Sequence, residues 1–177
     1  MNLIINSSPK DEFSVGVTLA QRLAHILNGP AEMIRLYDDQ DAYFHFQFRD
    51  EWIRRVTEAK CLIIPVAMWN FGIPAALKDF LDKISRRGKL WDLDQDSKMI
   101  GLLEDRPVYI IMTSGYDYET GHPHDFVIPY LKAVWASFGV LNVKEFRVGG
   151  VENSRTLSVD EEYLKSKTAE MLRAFGI

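Results

Sequence analysis

The chain has 177 residues, 47% of them hydrophobic, with a formal net charge of -4 and a single cysteine. That length and apolar content suit one domain with a full core spanning residues 1–177, and the acidic balance argues against nucleic acid as the main partner. Cys61 alone cannot build a disulfide framework, the cysteine usage expected of a protein in a reducing cytoplasm. No apolar run reaches the length of a membrane span, and the first thirty residues lack a signal-peptide pattern.

Asn2–Asn6 reads as a first strand that ends at Ser7-Ser8-Pro9-Lys10. Ser14 is placed to cap a helix running to about Leu27, with Ala20, Leu23, Ala24 and Leu27 on one face. Asn28-Gly29-Pro30 stops that helix. Glu32–Tyr37 reads as a second strand, closed by the acidic run Asp38–Asp41 as a solvated turn, and Asp50–Ala59 as a second helix. Cys61–Val66 is continuously apolar, as a strand covered on both faces must be. A third helix is expected over Ala75–Arg87, with Leu77, Phe80, Leu81 and Ile84 as its inner stripe and Gly88 at its end. Residues 88–106 show no periodicity, and a loop of that length in a compact domain is often functional. Val108–Met112 reads as the fourth strand, Asp125–Phe138 as the fourth helix, Val140–Val148 as the fifth strand and Val159–Phe175 as the last helix.

Five strands separated by helices imply an α/β fold with a parallel sheet and right-handed crossovers. The loops after strands one, three and four, residues 7–14, 67–74 and 113–124, then fall on one edge of the sheet. That is the layout of a flavodoxin-like FMN site: a doubly wound five-stranded parallel sheet of order 2-1-3-4-5 with helices on both faces. The run Met68-Trp69-Asn70-Phe71-Gly72-Ile73-Pro74 is the most informative of these loops. A bare connection needs only a turn, yet this one carries two aromatics and an amide. Trp69 and Phe71 offer flat apolar surface and Asn70 both donors and acceptors, a combination suited to a flat heteroaromatic ligand.

This segment resembles the FMN-dependent NADH azoreductases and the related NAD(P)H:quinone reductases, which carry a Met-Tyr-Asn-Phe-Asn-Ile-Pro loop followed by a helix with a Leu-Lys pair. Here the loop leads to Leu77-Lys78-Asp79-Phe80-Leu81-Asp82, and the similarity continues through Arg87-Gly88, Met112-Thr113-Ser114, Pro129-Tyr130-Leu131 and Phe138-Gly139. It covers residues 60–150 well and the first thirty more weakly. The resemblance implies an FMN whose phosphate lies at the start of the first helix, near Ser8, Ser14, Val15 and Gly16. Its ring would lie against Met68, Trp69, Asn70 and Phe71, with Ser114, Gly115, Tyr116 and Asp117 completing the site. It further implies NADH or NADPH as co-substrate, a quinone or azo acceptor, and hydride transfer at the flavin N5 in a ping-pong cycle. No side chain then has to act as acid or base. A homodimer is also implied, with Trp91 covering the flavin of the partner subunit.

The chain departs from the family pattern at named places. Ser14-Val15-Gly16 stands where the family has Ser-x-Ser, so a second hydroxyl is missing, although helix amides alone can bind phosphate. Ser114-Gly115-Tyr116-Asp117 stands where the family has Ser-Arg-Gly-Gly, which puts Asp117 near the flavin if it points inward. The chain is also shorter than the family around residues 38–50.

Each reading has a plainer rival. Residues 68–74 could be an aromatic loop packing on a neighbouring helix, Ser8 and Ser14 turn and cap residues, and Trp91 an anchor for its own loop. His122-Pro123-His124-Asp125 could supply metal ligands, but with no second cluster it is read as a solvated loop in which Asp125 caps the next helix. A triad of Ser114, His122 and Asp125 lacks a nucleophile-elbow sequence. The alternative to an enzyme is a flavodoxin-like electron carrier or a non-catalytic binding protein with a weakened FMN site.

Overall fold

The fold was analysed in a computed structural model that describes residues 1–10, 14–37, 48–151 and 160–177. The acidic run Asp38–Asp41 and the expected helix start at Val159 lie outside these residues. The elements in chain order are β1 (Asn2–Asn6), α1 (Val15–Ile26), β2 (Ala31–Arg35), α2 (Phe48–Glu58), β3 (Cys61–Ala67), α3 (Ala75–Ile84), β4 (Trp91–Leu93), β5 (Met99–Gly101), β6 (Val108–Thr113), α4 (Val127–Ser137), β7 (Val143–Val148) and α5 (Glu161–Phe175). Among the described residues, five parallel strands form one sheet in the order β2-β1-β3-β6-β7. Counting the long strands alone, this is the expected 2-1-3-4-5 order of a flavodoxin-like fold.

The central strands are apolar on both sides, and each side meets its own helical layer. Leu62, Ile64 and Val66 of β3 and Val108, Ile110 and Met112 of β6 join Trp52 and Val56 of α2, Leu77 and Phe80 of α3, and Leu131 and Trp135 of α4. The alternate residues, Cys61 and Ile63 of β3 and Tyr109 and Ile111 of β6, join Leu19 and Leu23 of α1 and Leu164, Met171 and Phe175 of α5. Two-sided burial is what a continuous Val/Ile/Leu run is for. Cys61 sits in this second layer, where its thiol donates to Asn2 Oδ1 at 3.3 Å and burial pushes its pKa up to about 11.

Several boundaries differ from expectation. β2 covers Ala31–Arg35 and ends before Tyr37. α3 stops at Ile84, capped by Ser85, whose N–H bonds Leu81 O. Gly88 instead forms a turn of its own at φ 72, with its N–H on Trp91 O at 2.8 Å. β7 begins at Val143 because Leu141 N and Asn142 N, both 2.9 Å from Asp105 Oδ1, are taken by that carboxylate.

The stretch 88–106 is not a structureless loop. Its core is an antiparallel hairpin in which Trp91 pairs with Gly101 and Leu93 with Met99. The hairpin rests on the turn after α4. A Cβ on Gly101 would lie 2.0 Å from Gly139 N and 2.2 Å from Phe138 C, so only glycine allows the two backbones to touch. Leu103 N then bonds Phe138 O at 2.9 Å.

Asp125 does not cap α4. That helix starts at Val127, with Phe126 at the N-cap and no side-chain capping bond. Asp125 is instead clasped by Arg147 of β7, Nη1 to Oδ1 and Nη2 to Oδ2, both at 2.9 Å. Arg147 Nε also donates to Glu145 Oε1 at 2.9 Å, and Lys132 meets the other oxygen of Glu145 at 2.5 Å. Burial alone would raise the Asp125 pKa. The Arg147 hydrogen bonds and the Gly121 amide outweigh it and hold the carboxyl below its ordinary value.

Two outcomes follow from these contacts. Gly101→Ala should destabilise the fold by at least about 1–3 kcal/mol, because backbone rather than a flexible side chain must yield. The denaturation midpoint checks this, and an unchanged midpoint would mean that the hairpin does not rest on Gly139. A depressed carboxyl pKa adds stability above the unfolded value. The Asp125 contribution is therefore complete above the ordinary 3.8 and is lost as pH falls below it, through the lowered folded value. Urea midpoints across that range should fall more steeply for the native chain than for Asp125→Asn.

Candidate active site

The three loops expected at the carboxyl edge of the sheet do meet there. Met68, just past β3, donates its N–H to Thr113 O at the end of β6, at 2.8 Å. The start of α1 lies over the same two strand ends. A Cβ on Gly16 would stand 3.4 Å from Thr113 Cγ2 and 3.5 Å from Pro65 Cβ, in ordinary contact. Ser7, fully buried, donates its hydroxyl to Pro65 O at 3.0 Å and ties the β1 exit to β3.

The middle loop is a tight reversal. Trp69 and Gly72 exchange both backbone hydrogen bonds, each 2.9 Å. Asn70 and Phe71 are the central residues, at φ 47 and 65. Positive φ at both positions is the requirement of a type I′ turn. Asn tolerates that region; a Phe held there stores about 1–2 kcal/mol of strain. Strained residues of this kind gather at functional sites. The turn leaves Trp69 52% and Phe71 43% exposed, while Met68 and Ile73 pack against the core and fix its stem. The sequence showed the aromatics and the amide. The reversal was signalled only by Asn70, whose side chain suits a left-handed backbone.

At the first loop, the Ser8 hydroxyl accepts from Lys10 N at 3.3 Å and Ser8 N donates to Asn6 Oδ1 at 2.8 Å. Residues 11–13 of this loop lie outside the described ones. Ser14 is the N-cap of α1, accepting from Val17 N at 3.5 Å through Oγ and from Thr18 N at 3.0 Å through its carbonyl. Val15 and Gly16 are buried, and no acidic residue occupies the first turn. Among the described residues the positive end of the helix thus has no acid in its own first turn to oppose it, which favours an anion.

At the third loop, Ser114 is buried; its N–H bonds Val148 O at 3.0 Å and its hydroxyl donates to Tyr116 O at 2.7 Å. Gly115 follows, partly buried, and Tyr116 is 66% exposed. Asp117 rests on Gly149, where an added Cβ would come within 1.8 Å of its Oδ1. Farther along, the ring of His124 packs on Phe71 at a tilt of 38°, centroids 4.3 Å apart, and Tyr118 meets Phe71 edge-on at 6.4 Å. His122 completes the cluster, 5.1 Å from Tyr118 and 5.3 Å from His124. The drawn triad is not assembled, since the Ser114 hydroxyl and the Asp125 carboxylate are engaged elsewhere. Among the described residues, no group of three or more His, Cys, Asp or Glu is arranged to hold a metal. Sequence reasoning missed this aromatic link to the middle loop; the density of rings in Tyr118–His124 was its only trace.

Trp91 begins β4 and packs partly buried against the main core, its Nε1 buried without a hydrogen-bond partner among the described residues. The exposed apolar residues of the hairpin region are Leu93, Met99, Ile100 and Leu102. A separate groove of about 440 Å³ is lined by α1 residues from Thr18 to Ile26 and by Thr168 of α5. No described helix is long and apolar enough to cross a membrane.

Among known proteins, an FMN-dependent NADH:quinone oxidoreductase of Beijerinckia indica is 33% identical over 113 residues, 63% of this chain and 55% of that protein. A second, from Hahella chejuensis, is 28% identical over 125 residues, 70% of this chain and 62% of that protein. The chain thus matches little more than half the length of these relatives. In structure it resembles an FMN-dependent NADH-azoreductase from Bacillus anthracis solved in complex with FMN, with a TM-score of 0.78, 23% identity and 97% of each chain covered. A family model described as a flavodoxin-like fold matches residues 2–173, and the chain belongs to that family.

Proposed function

We propose that this protein is an FMN-dependent NAD(P)H oxidoreductase that reduces quinones or azo compounds, acting as a cytoplasmic homodimer with one FMN in the single domain formed by residues 1–177. The observation that carries the reading is the strained turn at Asn70-Phe71, which presents two exposed aromatics at the sheet edge where the start of α1 also arrives. The names of the relatives, FMN-dependent NADH:quinone oxidoreductases and an FMN-bound azoreductase, support it.

The residues present fit the group. The α1 amides behind Ser14, Val15 and Gly16, with Ser8 nearby, would take the phosphate. Met68, Trp69, Asn70 and Phe71 would wall the ring. Ser114, Gly115, Tyr116 and Asp117 would close the remaining side, with Asp117 held against Gly149. When bound, FMN supplies hydride transfer from NADH or NADPH to the acceptor. The protein's part is to hold, orient and shield, and no acid–base side chain is required. Two substrates using one site in turn give ping-pong kinetics. Gly16, with no hydroxyl, supports a second reading: a carrier or binding protein with a weak FMN site.

Titration of the apo protein with FMN, followed by flavin fluorescence, should show one saturable site per chain, and the complex should oxidise NADH with a quinone. Saturable binding without turnover would select the carrier; no binding at micromolar FMN would reject both. Asn70→Gly keeps the left-handed backbone while removing the amide. It should therefore weaken FMN binding or shift its potential by the worth of one buried hydrogen bond, about 1–3 kcal/mol. The same affinity and the same potential would remove Asn70 from the site.

The hairpin supports the dimer. Leu93, Met99, Ile100 and Leu102 are 37%, 48%, 42% and 44% exposed, more apolar surface than a solvated hairpin should carry. A two-fold contact would bring Trp91 to the partner's site and couple assembly to activity. Sedimentation over a dilution series should show a dimer, and Trp91→Ala should change acceptor kinetics more than FMN binding. A monomer with full quinone reductase activity would exclude the shared site.

A further inference from the structure

We propose that Arg147 is a positioning residue for the proposed flavin-facing turn: from β7 it holds the 114–125 loop in the one arrangement that keeps Phe71 in its left-handed conformation. The proposal rests on the reading of residues 68–71 as the flavin wall.

Phe71 at φ 65 is not self-sustaining. A strained backbone persists only where its surroundings over-determine it. Within its own loop Phe71 has the Trp69–Gly72 backbone bonds, which fix the reversal but not the ring. The ring is held from outside, by His124 at 4.3 Å and Tyr118 at 6.4 Å. Both belong to an exposed loop that has no helix or strand of its own before Val127.

That loop is fastened through Arg147 at the two places that matter. The bidentate clasp on Asp125 fixes the residue directly after His124. Nη1 also donates to Tyr118 O at 3.2 Å and fixes the other ring at its backbone. The Asp125 side chain is only 2% exposed and that of Arg147 16% exposed, so the pair is shielded from water. Glu145 holds the third face of the guanidinium through Nε. A planar fork that can serve a carboxylate and a carbonyl together is particular to arginine; a lysine keeps the charge but not the geometry. Arg147 itself is anchored by the sheet, in register with Met112 of β6.

The test is hydrogen exchange of the apo protein, read at Trp69 and Gly72, with and without Arg147→Lys. Exchange there should quicken about tenfold, the loss of one hydrogen bond to a charged group, while Cys61–Ala67 stays at native rates. His124→Ala leaves the Arg147–Asp125 clasp intact and should quicken the same amides. The double variant should be no faster than the faster single one, because the two act in series. FMN affinity of Arg147→Lys should fall by about the same factor. Native exchange at Trp69 and Gly72 in Arg147→Lys, whatever its melting temperature, would overturn the proposal, as would additive effects in the double variant. If Arg147→Lys does not fold, Asp125→Asn, which loosens the same clasp from its other side, takes its place, and native rates at Trp69 and Gly72 in it would also overturn the proposal. A native protein that binds no FMN would remove the flavin reading, yet the exchange comparison would still decide what Arg147 does.

Discussion

β3 and β6 are covered on both faces, and the site depends on that. They pair in register from Leu62–Val108 to Ala67–Thr113, buried along nearly their whole length. A strand with no face toward water has one place to present chemistry, the loop beyond its end. Burial on both sides also removes any freedom to slip, since a one-residue shift would move every side chain to the opposite layer. The carboxyl ends of β3 and β6 are therefore fixed relative to each other, and Met68 N on Thr113 O carries that registry one step into the loops.

Beyond the strands, order is maintained by different means. The middle loop is short and its reversal is closed by both bonds of the Trp69–Gly72 pair, while its Phe71 ring rests on His124 of the third loop. The third loop is long, and it is tied back to β7 and to its exit through Ser114, Tyr118, Thr120 and Asp125. The first is tied by its buried serine to β3. Rigidity thus passes from the sheet outward by a few polar contacts, each made to backbone or to an ion pair sheltered from water. Phe71, at φ 65, sits among these contacts with its ring against His124 and Tyr118.

The parts legible in the sequence are those set by local pattern. The β1 span, the cap at Ser14, the buried run from Cys61 and the order of the long strands depend on periodicity, capping chemistry and chain connectivity. The parts not legible depend on distant residues. The hairpin at Trp91–Gly101 exists because Gly101 meets Gly139, 38 residues onward by their numbering in the chain. Asp125 has the composition and position of a helix cap, and only the folded sheet reveals that Arg147 outbids the α4 amides for it. β7 starts late because Asp105, on the connection between β5 and β6, claims the amides of Leu141 and Asn142. At the site, the loops were legible from their place after each strand, whereas the ring contacts between them were not, since they join residues of separate loops.

The burial of Cys61 has a chemical consequence for an enzyme of the proposed kind. Quinones are soft electrophiles that arylate thiolates, and a protein that binds them repeatedly exposes its own sulfur to attack. The only cysteine of the chain lies in β3, 5% exposed, its hydrogen held toward Asn2 and its ionisation pushed up to about 11. The thiolate is the reactive form, and at neutral pH it is scarcely present there. With its one thiol buried and protonated, the chain would offer an electrophilic acceptor of the proposed kind no accessible thiolate, a protection owed to the sheet rather than to the site.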